Sequence, residues 1–253
     1  MNHASGRFAR VLVHSAIFGV SLSAIFFSGA LAAQTREGGM AQGMLKQKLE
    51  TIKASAAENQ AKLHQYTWTE TSNITVNGRA MPPKESTASY GPDGKVHKVP
   101  IGGTQDAPAG TGRGGRLMAR IKENKKAETT DYMQQVGHVI SMYVPPTPQK
   151  MQQAFEAKKV SFDHANGMAD LVFKDYALPG DSMTVAFDTA TRKIRSIHVK
   201  SYLDTPQDAV MLNVQFATLP DGTNHPARTT LDATGKDIHV VNTNSNYRKT
   251  GQS

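Results

Sequence analysis

The chain has 253 residues and a formal net charge of +8, with 29 lysines and arginines against 21 aspartates and glutamates, and it contains no cysteine. Without cysteine there is no disulfide framework and no thiolate chemistry, and a zinc site would have to be assembled from histidines and carboxylates alone. Once the N-terminal segment described next is set aside, roughly 220 residues remain, enough for one α+β or all-β domain.

Arg7 and Arg10 precede an apolar run from Val11 to Phe27 that ends in small residues, the layout of a secretory signal peptide over residues 1–33. Ala30 and Ala32 fit a small-x-small cleavage pattern and place the mature start at Ala33, or at Gln34 if Leu31 and Ala33 are the recognised pair. The competing reading is an uncleaved signal anchor, because Val11 to Ala33 is long enough to cross about 30 Å of hydrocarbon. Against it, His14, Ser15, Ser21, Ser23 and Ser28 lower the apolarity of the run. The expectation is an exported, soluble protein of the bacterial periplasm whose residues 34–253 form a single domain.

Met44 to Leu63 carries Leu45, Leu49, Ile52, Ala56 and Leu63 at spacings mostly of three or four, which predicts a one-faced amphipathic helix. HQYTWTETSNITVNG then changes the period to two, with Tyr66, Trp68, Ile74 and Val76 on one face of a strand that ends in Asn77-Gly78, a hairpin turn signal. A return strand is expected over Glu85 to Tyr90, a turn at Gly91-Pro92-Asp93-Gly94, and a further strand over Lys95 to Val99.

Residues 91–115 are rich in glycine and basic side chains and read as a surface loop, because so many glycines would lose more backbone entropy on ordering than their missing side chains could recover. The segment GTGRGGR is not a phosphate-binding loop, since it lacks the Lys-Ser/Thr ending and follows no hydrophobic parallel strand. From Gly91 to Lys126 there are eight basic and three acidic residues, a local positive field that attracts anions such as lipid headgroups. Arg113, Arg116 and Arg120 are the candidate contacts for an anionic envelope surface, and the exported address disfavours nucleic acid as the partner.

RLMARIKENKKAETTDYMQQVGHVIS is compatible with two helices or one long one, and Thr147-Pro148 predicts a short helix capped by the threonine hydroxyl and ending near Lys158. Beyond it the period is two almost to the end. Strands are expected around Val160–Phe162, Leu171–Phe173, Met183–Phe187, Ile194–Ser201, Val210–Phe216, Ala227–Leu231 and Asp237–Asn242. Val210, Leu212, Val214 and Phe216 make the clearest apolar face. Antiparallel strands with helices from two places to cover the buried face define an α+β fold.

No catalytic, cofactor or metal motif stands out. The nine histidines include no pair three to five residues apart, there is no GxSxG turn, and no pair of carboxylates is set apart from ordinary turns. The chain therefore reads as a non-enzyme without a cofactor. The aromatic and methionine side chains Tyr66, Trp68, Met118, Tyr132, Met133, Phe187 and Phe216 read first as ordinary core and second as the lining of an adaptable apolar cavity between sheet and helices.

The order of these features resembles the superfamily of periplasmic lipoprotein carriers and outer-membrane lipoprotein-sorting proteins. The resemblance rests on the export signal, the long first helix, the aromatic start of HQYTWTETSNITVNG, the GPDGK turn, the central helices and the closing VMLNVQFATLPDGTNHPARTTLDATGKDIHVVNTNSNYRK, with its LPDG at 219–222. It implies a strongly curved antiparallel sheet, an incomplete barrel covered by helices, with a cavity that in the carriers receives acyl chains. The implied role is binding or carrying a lipid, lipoprotein or other apolar ligand as a monomer. The alternative is a structural or accessory envelope protein whose core is filled by its own side chains. The basic, glycine-rich stretch from Gly91 to Gly115 departs from the pattern and points to a modified use of the scaffold.

N-terminal sequencing or intact mass of protein from the envelope fraction is expected to show a soluble product beginning near Ala33; a membrane-embedded product that retains Met1 would overturn that expectation.

Overall fold

The structure is a computed structural model and describes residues 43, 47, 50, 54, 57–102, 113–144, 146–165 and 167–250. The expected signal peptide over 1–33 lies outside these residues, as do 103–112 in the glycine-rich stretch. In chain order the described elements are helix α1 (57–63, with helical positions 43, 47, 50 and 54 before it), strands β1 (Tyr66–Val76), β2 (Arg79–Ala80), β3 (Lys84–Tyr90) and β4 (Val96–Pro100), and helices α2 (Arg113–Ser141) and α3 (Pro148–Glu156). Seven strands follow: β5 (Val160–Ala165), β6 (Met168–Lys174), β7 (Ser182–Asp188), β8 (Lys193–Tyr202), β9 (Ala209–Thr218), β10 (Asn224–Ala233) and β11 (Ile238–Lys249). No described helix is long and apolar enough to cross a membrane.

The strands form one antiparallel sheet in the order β4-β3-β1-β11-β10-β9-β8-β7-β6-β5, with β2 paired to β1. The sheet is open and curved, with β4 and β5 at its two ends, and the fold is α+β. Most neighbours are joined by tight turns. Asn77 (φ 49°) and Gly78 (φ 69°) both adopt the left-handed region, the pairing a two-residue hairpin requires to reverse β1 into β2. Register shifts between Thr67 and Thr69, between Ala186 and Phe187, and between Pro226 and Arg228 bend three of the strands.

Alternation selects the covered face. Leu171, Phe173, Met183, Val185, Ile197, Val199, Val210, Leu212, Val214, Leu231, Ile238 and Val240 are all buried there, supplied by β6 to β11. Tyr132, Val136, Val139 and Ile140 of α2 and Met151 and Ala154 of α3 complete this core. Each large aliphatic side chain so buried contributes about 1.5–3 kcal/mol of transfer free energy.

Two polar anchors, one part-buried and one buried, fix α2 to the sheet. Tyr132 donates to Asp208 Oδ1 at 2.6 Å while the Gly235 N–H donates to the same oxygen at 3.0 Å. A Cβ at Gly235 would lie 2.5 Å from that carboxylate oxygen, which explains glycine at this turn. Just past the end of α2, Tyr143 donates to Asp181, and its hydroxyl lies 2.8 Å from that of Ser201. Asp181 also accepts backbone N–H groups of Tyr176, Ala177 and Leu178, so a 3% exposed carboxylate is fully engaged.

The structure departs from the sequence reading in three places and decides one alternative left open. The stretch over 91–115 is not one loop: the expected Gly91–Gly94 turn does fold the expected strand, observed over Val96–Pro100, back onto β3, but Arg113 to Gly115, placed in the loop, begin α2. Glycine lowers helix propensity by about 1 kcal/mol per residue, but α2 is anchored by the packing of its second half. Of the two helical arrangements open for the central segment, the single long helix forms. Thr147 stands at the start of α3 without a side-chain cap; its N–H instead donates to the Tyr176 hydroxyl at 3.1 Å, and Pro148 at the first position needs no partner. The last strand runs past Asn242 to Lys249, because β1 offers partners along that whole length.

Val214→Asp, which would place a carboxylate in the apolar layer, is expected to lower stability in urea titration by on the order of 3 kcal/mol or more. Asn213→Asp on the opposite face serves as control. Equal losses for the two variants would mean that the assigned face is wrong.

Candidate functional site

The same alternation that gives β6 to β10 an apolar inner face gives β1 and β11 a different one. The buried positions of β1 are Tyr66, Trp68, Glu70 and Ser72, and Glu70 and Ser72 stand opposite Asn244 and Asn242 of β11. Asn242 in turn stands opposite Thr229 of β10. The covered face therefore changes from aliphatic to aromatic and polar across β10 and β11.

At this boundary lies a crevice of about 20 Å³ lined by Leu63, Trp68, Glu70, Tyr90, Pro226, Thr229, Asn242, Asn244 and Tyr247. Aromatic rings form its wall. Trp68 stacks on Tyr247 with centroids 5.5 Å apart and planes 14° apart, and it meets Tyr90 at 5.6 Å. His225 lies 4.2 Å from Tyr247 on one flank, and His64 stacks on Tyr90 at 4.3 Å on the other. Such offset and tilted pairs contribute about 0.5–1.5 kcal/mol each beyond the area they bury.

Lys98 Nζ donates to Glu70 Oε1 at 2.6 Å, with the two side chains only 15% and 9% exposed. Register explains the pair. Trp68, Ala88 and Lys98 stand in one row across β1, β3 and β4, and the small Ala88 side chain leaves a path for the lysine stem toward Glu70. The pair balances charge in the crevice wall.

Among the described residues, three polar atoms beside it have no partner. Trp68 Nε1, Asn242 Oδ1 and Asn244 Oδ1 are buried without a hydrogen bond, whereas the Asn244 amide nitrogen donates to the Pro226 carbonyl at 3.0 Å. Buried polar groups are nearly always paired, and each unpaired one costs about 1–3 kcal/mol. Three of them on one crevice is a concentration that the filled core beneath α2 does not share.

α1 covers this end of the sheet. Asn59 donates to the Asn224 carbonyl at 2.6 Å and accepts the Asn224 N–H at 2.5 Å, and Leu63 is buried over the crevice. Beyond Leu63, the Tyr66 hydroxyl donates to Asp221 at 2.5 Å, and Lys249 reaches the same carboxylate at 3.1 Å. Burial pushes the Tyr90 phenol up to about 12 and the Tyr247 phenol higher still, the latter helped by Tyr90 and Glu70. Both rings are neutral donors across the physiological range. Burial also holds the His225 imidazole below its ordinary value, with the Pro226 carbonyl opposing weakly.

The residues proposed from sequence as a cavity lining fall in separate places. Trp68 lines the crevice and Tyr66 flanks it, 6.2 Å from Tyr247. Tyr132 and Phe187 belong to the core beneath α2 and α3, and Met133 and Phe216 pack on that core. Met118 and the three candidate anion contacts Arg113, Arg116 and Arg120 are backbone positions of the first half of α2, with side chains outside the described set. The arginine spacing of three and four puts their positions on one side of the helix. Glu70, Lys98, Asn242, Asn244 and Tyr247 were not singled out from sequence. The signal available was the unbroken alternation of β1, which puts Glu70 on the same face as Trp68. Among the described residues no group of three or more His, Asp or Glu side chains could hold a metal ion.

No family model and no curated protein matches the chain. Solved structures do. The chain is similar to a DUF1329 family protein from Desulfovibrio piger at 10% identity and a TM-score of 0.38, covering 82% of this chain and 94% of that one. It is similar to a LolA superfamily protein from Nitrosomonas europaea at 6% identity and a TM-score of 0.35, covering 79% and 94%. It is also similar to an outer membrane lipoprotein-sorting protein domain from Vibrio parahaemolyticus at 11% identity and a TM-score of 0.37, covering 82% and 94%. The last two carry the names of the superfamily that the sequence pattern resembles. At these identities and TM-scores they are similarities only, and the functional reading below is built from this chain's own side chains.

His225 gives the site a pH dependence. Because folding depresses its pKa, the folded state binds fewer protons than the unfolded one; its contribution is constant above the ordinary histidine value and is lost as pH falls through that value toward the folded one. His198 is shifted the same way, by burial and then by Lys200. His225→Gln is expected to lose less stability than wild type in urea titrations between about pH 7.5 and about pH 5.5. An unchanged pH dependence in the variant would remove His225 from this role.

Proposed function

We propose that this protein is an exported, non-enzymatic, monomeric binding protein of the bacterial periplasm. In this reading it takes a lipid, a lipid-modified protein or another amphipathic ligand between α1 and the β1–β11 part of the covered face. The observation that supports it is the crevice below Leu63, where an aromatic wall meets three buried polar atoms without partners. A core that serves stability alone is apolar or fully paired, as it is beneath α2 and α3. An aromatic surface with unused hydrogen-bonding capacity matches a ligand that is apolar along its length and polar at one point.

The dimensions add a condition. Ligand pockets usually enclose about 300–1,000 Å³, and the crevice encloses about 20 Å³, so an acyl chain enters only if α1 moves aside. The exported address rests on residues 1–33. The positions Arg113, Arg116 and Arg120 at the start of α2 supply the proposed contact with anionic headgroups or an anionic envelope surface.

The second reading, a structural or accessory envelope protein with a self-filled core, is favoured by the dense aliphatic packing beneath α2 and α3. The two separate in a titration, because the chain contains one tryptophan and it is Trp68. Under the binding reading, palmitate added to the mature protein gives a saturable change in Trp68 emission, and Leu63→Ala, which loosens the cover, strengthens the response. No saturable change in either protein, together with a mass free of adducts for material purified from its host, would leave the self-filled reading in place.

A further inference from the structure

We infer that the crevice is a binding site for a single hydroxyl group, which accepts a hydrogen bond from Trp68 Nε1 and donates to the amide oxygens of Asn242 or Asn244. The inference deepens the reading of the crevice as facing a ligand, but it holds for a water molecule as well as for an alcohol carried by a lipid.

The composition of the unpaired set selects this chemistry. Trp68 is 6% exposed and offers one N–H donor; Asn242 is 5% exposed and offers a carbonyl acceptor. Asn244 adds a second acceptor, and its orientation is fixed because its amide nitrogen already donates to Pro226. An anion would meet two amide oxygens. A cation would meet the indole N–H, and the carboxylate that would attract it is already held by Lys98. A neutral group that both accepts and donates matches one donor and at least one acceptor together, and a water molecule carries the one acceptor site and two donors that the three atoms call for.

Volume sets the size of the group. One water requires about 10–15 Å³ of accessible space and two to four polar partners. The crevice, at about 20 Å³, holds one such group and not a headgroup.

The test uses the full mature chain labelled with ¹⁵N, in which the single tryptophan gives a single indole N–H signal. In ligand-free protein that proton is expected to show magnetisation transfer from a long-lived water and slow exchange with solvent. The protein is then titrated with monopalmitoylglycerol and, separately, with methyl palmitate, which has the same chain and no hydroxyl. Loss of the water contact and a shift of the indole signal with the glycerol ester alone identifies the ligand's hydroxyl as the occupant. A water contact that persists with both esters identifies water, and the inference stands. If neither ester binds while the water contact is present, the lipid reading falls and the hydroxyl site remains. An indole proton without a long-lived water contact, and unshifted by both esters, overturns the inference.

Discussion

The antiparallel pairing of β1 with β11 is the constraint on which the rest of the structure depends. It joins residues from opposite ends of the domain, from Tyr66 opposite Lys249 to Val76 opposite Ile238, while most other neighbours in the sheet are linked by tight turns. Without it the β3–β4 arm has no place in the sheet and the aromatic wall does not assemble, since Trp68 comes from β1 and Tyr247 from β11. The same pairing sets the polarity of the covered face. Glu70 and Ser72 are placed opposite Asn244 and Asn242, so polar residues of two distant segments share one row. Closing so long a loop is entropically costly and slow, and the extended register of β11, which runs to Lys249, offsets that cost with backbone hydrogen bonds.

The Glu70–Lys98 pair is best understood through what its loss would do. Two charges taken out of water gain little net stability from each other, whereas removal of one partner leaves an uncompensated buried charge at a cost of about 3–5 kcal/mol. The pair therefore specifies an arrangement more than it stabilises one. It ties β4, an end strand, to the inner face of β1 and keeps the crevice electrically neutral. Neutrality matters to the proposed function because the groups left unpaired among the described residues, an indole N–H and two amide oxygens, would then set what the crevice accepts.

Much of the fold was legible because period two is a local property. Val210, Leu212 and Val214 alternate with Met211 and Asn213, and the structure buries the first set. Asn77-Gly78 reads as a turn because few other residue pairs accept two left-handed conformations. What could not be read depends on pairing across the chain. Glu70 looks like an ordinary exposed strand residue until Lys98 is brought to it across Ala88, and Asn242 and Asn244 look like the polar half of a strand until β1 covers them. The glycine-rich stretch misled for a related reason. Composition describes the average cost of ordering a segment: the turn and strand at its start were legible, whereas the packing of Val136 to Ile140 anchored a helix that begins at Arg113, inside the expected loop.

The division of the covered face separates stability from adaptability. Beneath α2 and α3 many aliphatic side chains interlock, and two tyrosine–aspartate anchors, one part-buried and one buried, hold the long helix and the chain just beyond it, the dense packing that belongs to the high-stability end of a fold. The described part of α1 meets the sheet through, among other contacts, the paired bonds of Asn59 to Asn224 and the buried Leu63. Hydrogen bonds of this kind are worth about 1 kcal/mol each, and a buried leucine about 2 kcal/mol. Contacts on that scale can be outweighed by a ligand of ordinary affinity, because a ligand shifts an equilibrium by its differential affinity for the two states. The polar, aromatic side of the sheet lies under α1 and the apolar side under α2 and α3, so under the proposed function ligand access at one end would leave the interlocked core at the other intact.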